Sequence, residues 1–201
     1  MLEREESDVR VGERSGARGD GGGIVFRDAA EGDVSALVEL VNSAYRGGAS
    51  RQGWTTEADL LGGQRVDSGQ IAEALARPGA RVLVAERDGR PAACCEVVGG
   101  GDGSAYFGMF AVRPGAQGGG LGGSVLAEAE RTAAEEMGCT SMRMTVLRQR
   151  ADLIAWYERR GYRRTGGTAP FPYGDERFGL PKRDDLVFEE LAKELSAPLG
   201  G

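Results

Sequence analysis

The 201-residue chain contains no histidine. Its absence removes imidazole acid–base catalysis, serine or cysteine nucleophiles activated by histidine, and histidine-ligated zinc. Chemistry here must run on carboxylates, tyrosine, cysteine, lysine or backbone groups. A basic run is missing too: 25 Lys and Arg stand against 31 Asp and Glu, a net charge of -6, so the electrostatic footprint of a nucleic-acid binder is absent. The apolar runs fall well short of the ~20 residues of a membrane span, and the acidic N-terminus lacks the charge pattern of a secretory signal. Cysteine is scarce and odd in number. Cys94, Cys95 and Cys139 have no metal-ligand spacing, which implies reduced thiols, a cytoplasmic protein and no metal.

What the chain has in excess is glycine, 34 residues of it, beside a 40% hydrophobic fraction sufficient for one core. Residues 1–22 are charged and then glycine-rich, with little to bury, and read as a disordered arm; residues 197–201 read as a tail, leaving one domain over 23–196. Within it, a strand at 24–27 precedes a helix whose Val34, Leu37, Val38, Val41 and Ala44/Tyr45 share one face, ended by Gly47-Gly48. Asp67 and Gln70 have the spacing of a capping box that opens a second helix to about residue 76. A hairpin at 81–86 and 91–98 turns on Asp88-Gly89, with Cys94 and Cys95 directed to opposite faces. A strand at 106–112 follows, then a helix from Leu121 to Met137 stopped by Gly138. A strand at 141–147, a helix at 151–160 and two final strands at 162–165 and 186–188 complete the order. The last two flank a proline- and glycine-rich connection at 168–181. This is an α/β chain with a mixed sheet covered by helices on both faces.

The glycines are densest in 107–123, FGMFAVRPGAQGGGLGG, at a strand-to-helix junction. Bare backbone at a helix N-terminus offers orphan N–H groups at the positive end of the helix dipole, which suits a phosphate. Gly118, Gly120 and Gly123 satisfy G-x-G-x-x-G, but the next strand ends in Leu147-Arg148-Gln149-Arg150 with no acid for a ribose, and the lysine of a P-loop is missing. Dinucleotide and P-loop readings both fail.

Val112-Arg113-Pro114-Gly115-Ala116-Gln117-Gly118-Gly119-Gly120-Leu121-Gly122 resembles motif A of the GNAT N-acetyltransferases, V-x-P-x-x-[QR]-x-x-G-x-[GA]. Gln117, Gly120 and Gly122 occupy its diagnostic positions. Downstream, Leu153-Ile154-Ala155-Trp156-Tyr157-Glu158-Arg159-Arg160-Gly161-Tyr162 is similar to the later helix of that family. The resemblance implies the GNAT acyl-CoA N-acyltransferase fold and acetyl transfer from acetyl-CoA to a primary amine of a small molecule or amino-acid-like acceptor. It implies that Phe110, Ala111 and Val112 pair with the pantetheine arm, with an N–H among them facing the acetyl oxygen. Gln117, Gly118, Gly119, Gly120, Leu121, Gly122 and Gly123 would take the pyrophosphate. Tyr157 would protonate the departing sulfur, against the alternative of a packed aromatic.

Where the family often carries asparagine for the pantetheine, this chain has Arg150. Arg148 or Arg150 could instead meet a CoA phosphate or form a solvated basic pair. For the base, Glu96 on the third core strand stands first, with Glu57 and Asp59 as alternatives. Trp54, Glu57 and Phe171 fall where the family builds its acceptor pocket, or serve as packing anchors. Two rival readings stay open: a protein N-terminal or lysine acetyltransferase, and a CoA-binding module without turnover. The oligomeric state is also open, a homodimer included.

Overall fold

A computed structural model of the chain describes residues 23–45, 57 and 59–195. The expected arm at 1–22, the tail at 197–201, the Gly47-Gly48 stop and Trp54 lie outside the described residues. The order is β1 (Val25–Asp28), α1 (Val34–Tyr45), β2 (Leu61–Gly62), α2 (Ser68–Ala76), β3 (Ala80–Arg87), β4 (Arg90–Gly99), β5 (Ser104–Val112), α3 (Leu121–Arg131), β6 (Ser141–Leu147), α4 (Ala151–Glu158), β7 (Arg163–Pro170), β8 (Leu180–Pro181) and β9 (Val187–Glu194). Seven strands form one mixed sheet in the order β1-β3-β4-β5-β6-β9-β7. Within it β5 and β6 run parallel, and the neighbouring pairs are antiparallel.

Strand alternation divides the core between the two faces. On one side Val82, Val84, Cys94 and Ala111 pack against Leu37, Leu40 and Val41 of α1 and Ile71 and Ala74 of α2. On the other, Leu83, Ala85, Cys95 and Phe107 pack against Leu121, Val125 and Leu126 of α3 and Ile154 and Tyr157 of α4. Cys94 and Cys95 therefore do face opposite sides, and all three cysteines are buried and free. The capping box is formed as its spacing predicts: Gln70 N–H donates to Asp67 Oδ1 at 2.9 Å, and Asp67 N–H donates to Gln70 Oε1 at 2.9 Å. Asp88 and Gly89 both take positive φ, 53° and 71°, as a two-residue hairpin turn of this hand requires.

Three features depart from the sequence reading. The helix from Leu121 is α-helical only to Arg131 and then widens into a π turn at Thr132–Glu136. The last two strands are longer than expected and pair with each other, so residues 168–170 are edge strand rather than loop. Proline ends β7 where the edge position spares its missing N–H. Finally β8, inside the expected connection, pairs with β2 as a separate two-stranded sheet, Leu61 opposite Pro181. Two-residue strands carry too little alternation to be read from sequence. None of the described helices is long and apolar enough to cross a membrane.

Candidate active site

The parallel pair at the sheet's centre does not stay paired. β5 and β6 register only at Ser104, Ala105 and Tyr106, opposite Ser141, Met142 and Arg143. Beyond Tyr106 the strands diverge, and the edge of β5 from Phe107 to Val112 is left without a strand partner on that side. Two structural details open the gap. The β4–β5 register slips by one residue between Cys94↔Ala111 and Glu96↔Gly108, a bulge on β5. At the bulge Met109 is held at φ 45°, a left-handed conformation that costs a side-chain-bearing residue roughly 1–2 kcal/mol. Tyr45, at the end of α1, pins the bulge by donating its hydroxyl to the Phe110 carbonyl.

The gap is a cavity of about 190 Å³ whose walls include Tyr45, Tyr106, Gly108, Phe110, Thr145 and Tyr157. Tyr157 comes from α4, 3% exposed, its ring edge-on to Phe107, Trp156 and Tyr162. Burial raises its pKa well above the usual phenol value, a nearby Tyr45 adding to this and Arg150 opposing it. The phenol is therefore protonated throughout the physiological range. Tyr45 behaves alike, pushed up to about 12 by burial first and the Glu57 carboxylate second.

At one end of the cleft lies the glycine loop. Gly118 and Gly120 take positive φ, 95° and 79°, and Gly120 is the N-cap of α3. The amides of Leu121, Gly122 and Gly123 occupy the first turn, where a helix has no internal acceptor for them. A Cβ built on Gly118, Gly119 or Gly120 meets nothing within 4 Å. The side of the loop that glycine leaves bare is therefore open space, a cradle fit for a phosphate. It borders a hollow of about 330 Å³ closed by Trp156 and Arg160. The Arg160 guanidinium lies 3.6 Å from the Trp156 ring centroid and donates to the Trp156 carbonyl at 3.0 Å. No carboxylate stands within ion-pair distance of it among the described residues. Burial, then repulsion from Arg159, lowers its pKa from the usual arginine value.

The expected residues distribute as follows. Phe110 to Val112 lie at the far end of the unpaired edge of β5, although the Phe110 carbonyl already accepts from Tyr45 and the Val112 carbonyl from Gln117 Nε2 at 2.9 Å. Each keeps a second lone pair. The Gln117 side chain thus braces the loop. Arg150 is 5% exposed at the N-cap of α4, 3.5 Å from Asp152, within electrostatic reach of Tyr45 and Tyr157, and does not line the glycine hollow. Arg148 pairs with Glu189 at 2.7 Å. The cation at the glycine loop is Arg160, which the motif spacing did not single out because it stands next to a second arginine, Arg159.

Glu96 lies on the α1/α2 face of β4, ion-paired to Arg77 at 2.8 Å. Burial raises its pKa and Arg77 pulls it back. Its second oxygen, Oε2, sits 3.8 Å from where a Cβ on Gly108 would be, which puts the carboxylate next to a residue of the cleft wall without its lining the cleft itself. Glu57 lines the cleft directly. Asp59 is exposed at the turn before β2. Phe171 is buried against Phe188 and Tyr173 in a third cluster with Leu61, Leu147 and Leu186, one layer behind the cleft. Phe178 and Phe188 reach the cleft instead, joined there by Arg65. These three, with Tyr45 and Tyr106, escaped the sequence reading because each comes from a separate element and none belongs to a contiguous motif.

A family model described as the acetyltransferase (GNAT) family matches residues 35–162. A search of the curated proteins returns no match. Among solved structures, the chain is similar to the ribosomal-protein-alanine N-acetyltransferase from Brucella melitensis, with 24% identity, TM-score 0.63, and 85% of this chain and 99% of that one covered. It is similar also to yncA from Salmonella typhimurium with its cofactor acetyl-CoA, with 22% identity, TM-score 0.62, and coverage of 88% and 96%. The ribosomal-protein-S18-alanine N-acetyltransferase from Escherichia coli has 16% identity, TM-score 0.63, and coverage of 87% and 96%. At these identities the structural likeness carries the fold alone.

Proposed function

The chain belongs to the GNAT acetyltransferase family, and from that premise we propose that it transfers an acetyl group from acetyl-CoA to a primary amine of a small-molecule acceptor by direct attack in a ternary complex. The single observation that carries this reading is the cleft opened by the divergence of β5 and β6, with the glycine cradle at one end and the buried Tyr157 phenol in its wall. Acetyl-CoA, when bound, supplies the activated acyl group as a thioester.

The chain's own residues have separable tasks. The amides of the 118–123 loop bind pyrophosphate oxygens at the helix N-terminus, and Arg160 faces the same anion from the opposite wall. The unpaired edge of β5 at Phe110 to Val112 aligns the pantetheine arm as a further strand would. A β5 amide polarises the acetyl carbonyl there, an oxyanion-type contact that costs no reorganisation. Tyr157 holds its proton at neutral pH and delivers it to the sulfur as the carbon–sulfur bond breaks. Glu96, through a water over Gly108, accepts the proton the amine nitrogen loses. Glu57, Phe178 and Phe188 belong to the acceptor side in this reading, with Phe171 stacked behind Phe188.

The cleft in which the acceptor would meet the thioester is small. About 190 Å³ is below the ~300 Å³ at which drug-sized pockets begin. The test is thiol release from acetyl-CoA across a panel of amines, peptides and lysine-bearing proteins. Release stimulated by small amines supports the reading. Stimulation by peptides alone would shift it to a protein acetyltransferase.

A further inference from the structure

The acceptor side of the cleft contains a cation, Arg65, that makes no ion pair among the described residues. Arg65 lines the cavity between β5 and β6 and stands on the segment between β2 and α2. Its position is fixed twice over. Its backbone N–H donates to Asn42 Oδ1 at 2.7 Å, and Asn42 Nδ2 donates to the carbonyl of the next residue, Val66, at 2.9 Å, so the segment is clamped to α1. Its guanidinium carbon lies 5.5 Å from the centroid of the Tyr45 ring, whose own hydroxyl is bonded to Phe110. A ring face at that distance orients a guanidinium without satisfying its donors.

Several arginines lean on acids: Arg27 holds Asp33 and Glu86, Arg77 holds Glu96, and Arg113 holds Glu39. Arg65 differs, since no carboxylate among the described residues lies within ion-pair distance of it, although Glu57 lines the same cavity. A half-buried guanidinium with a planar fork of donors left open toward a cavity is the geometry that receives a carboxylate or similar oxyanion side by side. The site lies apart from the cofactor cradle. The cleft and the glycine hollow share no lining residue, and Arg160 already supplies the cation of the latter.

We propose that the acceptor amine also carries an anionic group, a carboxylate or a comparable planar oxyanion, and that Arg65 binds that group while the amine points toward Tyr157 and Glu96. The acceptor is thus of the amino-acid class, a zwitterion rather than a simple amine or a polyamine. This inference rests on the acetyl-transfer reading above and narrows its substrate.

The test uses matched acceptors that differ only in the anion: a series of amino acids, their primary amides and their decarboxylated amines. With the full-length protein and acetyl-CoA, kcat/KM for the carboxylate member of the best pair should exceed that of its neutral partners by at least tenfold. Arg65→Gln should abolish that preference by raising KM for the carboxylate member at least tenfold more than KM for its neutral partners, with KM for acetyl-CoA following neither. Arg65→Lys, which keeps the charge and loses the fork, should retain part of the preference. Equal turnover of all three members by the wild type overturns the proposal. So does a loss in Arg65→Gln that falls equally on anionic and neutral acceptors. Calorimetric titration of the same series into the protein saturated with CoA separates this proposal from the one beneath it. A panel with no thiol release but with carboxylate-selective binding lost in Arg65→Gln would sink acetyl transfer and keep the anion site. Binding that ignores the carboxylate would sink the anion site whatever the turnover.

Discussion

The two ends of the cleft solve the same electrostatic problem with different materials. At the glycine loop, charge is met mainly by main chain: a run of amides around the N-cap of α3, left bare because residues 118–120 have no Cβ, with one guanidinium laid on Trp156. At the acceptor end it is met by side chains alone, with a guanidinium laid on Tyr45 and aromatic walls from β5, β9 and the segment before β8. Backbone amides belong to consecutive residues, so they leave a contiguous signature in the sequence. Side chains drawn from α1, β5, β9 and the segments before α2 and β8 leave none. On the proposed reading, the main-chain end holds the cofactor's phosphates and the side-chain end takes the acceptor.

The comparison breaks most visibly if a side chain is placed in the loop. Gly120→Val puts a Cβ into the open side of the cradle and forces φ 79° on a β-branched residue. Losing two charge-assisted amide contacts, each worth about 1.5–3 kcal/mol, should raise KM for acetyl-CoA by about 100-fold or more. The left-handed strain, about 1–2 kcal/mol, should also lower Tm. Gly119→Val lacks that strain, since Gly119 does not take positive φ. It should raise KM for acetyl-CoA while leaving Tm near wild type, which separates ligand obstruction from folding. Unchanged KM in both variants would remove the loop from cofactor binding.

Next in size is Tyr157→Phe, expected to lower kcat by about tenfold or more while calorimetric affinity for acetyl-CoA stays put. Because burial holds the phenol well above 10, the wild-type kcat should show no descending alkaline limb from Tyr157 below about pH 10. An unchanged kcat would make Tyr157 a packing residue.

The third test crosses the two guanidinium groups. Arg160→Ala should raise KM for acetyl-CoA about tenfold, as the loss of one charged contact implies, and leave KM for the acceptor alone. Arg65→Gln should do the reverse. If each variant disturbs both constants, the two ends are not separate sites.

The smallest effect on stability concerns Glu96, whose carboxyl is pushed up by burial. A folded-state pKa above the unfolded one means that folding disfavours the ionised form, a penalty absent at low pH and present once pH rises through the folded pKa. Glu96→Gln should therefore keep or slightly raise Tm at pH 7, the difference from wild type closing as pH falls through the carboxylate range. Arg77, left behind half-exposed, loses little. In activity, the same variant should lose the acidic limb of the kcat/KM profile. A lower Tm at pH 7 with the limb intact would make Glu96 a structural partner of Arg77.

How much of this was legible in the sequence follows from the same contrast. The 112–122 motif, the capping box at Asp67 and Gln70, the Asp88-Gly89 turn and the alternation of β6 are local patterns, and the fold they specify is the one observed. The pairing of β7 with β9 and of β2 with β8 was not legible, because register between distant strands depends on packing and not on local propensity. Among the candidate site residues, Tyr157 is singled out by its motif and Glu96 by its oddity on an apolar strand. Arg65 and Phe178 carried no such mark. Arg160 was hidden in a pair of arginines, and only its stacking on Trp156 distinguishes it from Arg159.

The central claim is that the cleft between β5 and β6 carries acetyl from a thioester to an amine, and acceptor-stimulated thiol release from acetyl-CoA by the full-length protein tests it most directly. The account predicts release that depends on a small amine and matches acetylated product mole for mole. Tight binding of acetyl-CoA with no release above the acceptor-free rate, for any amine or peptide offered, would contradict it.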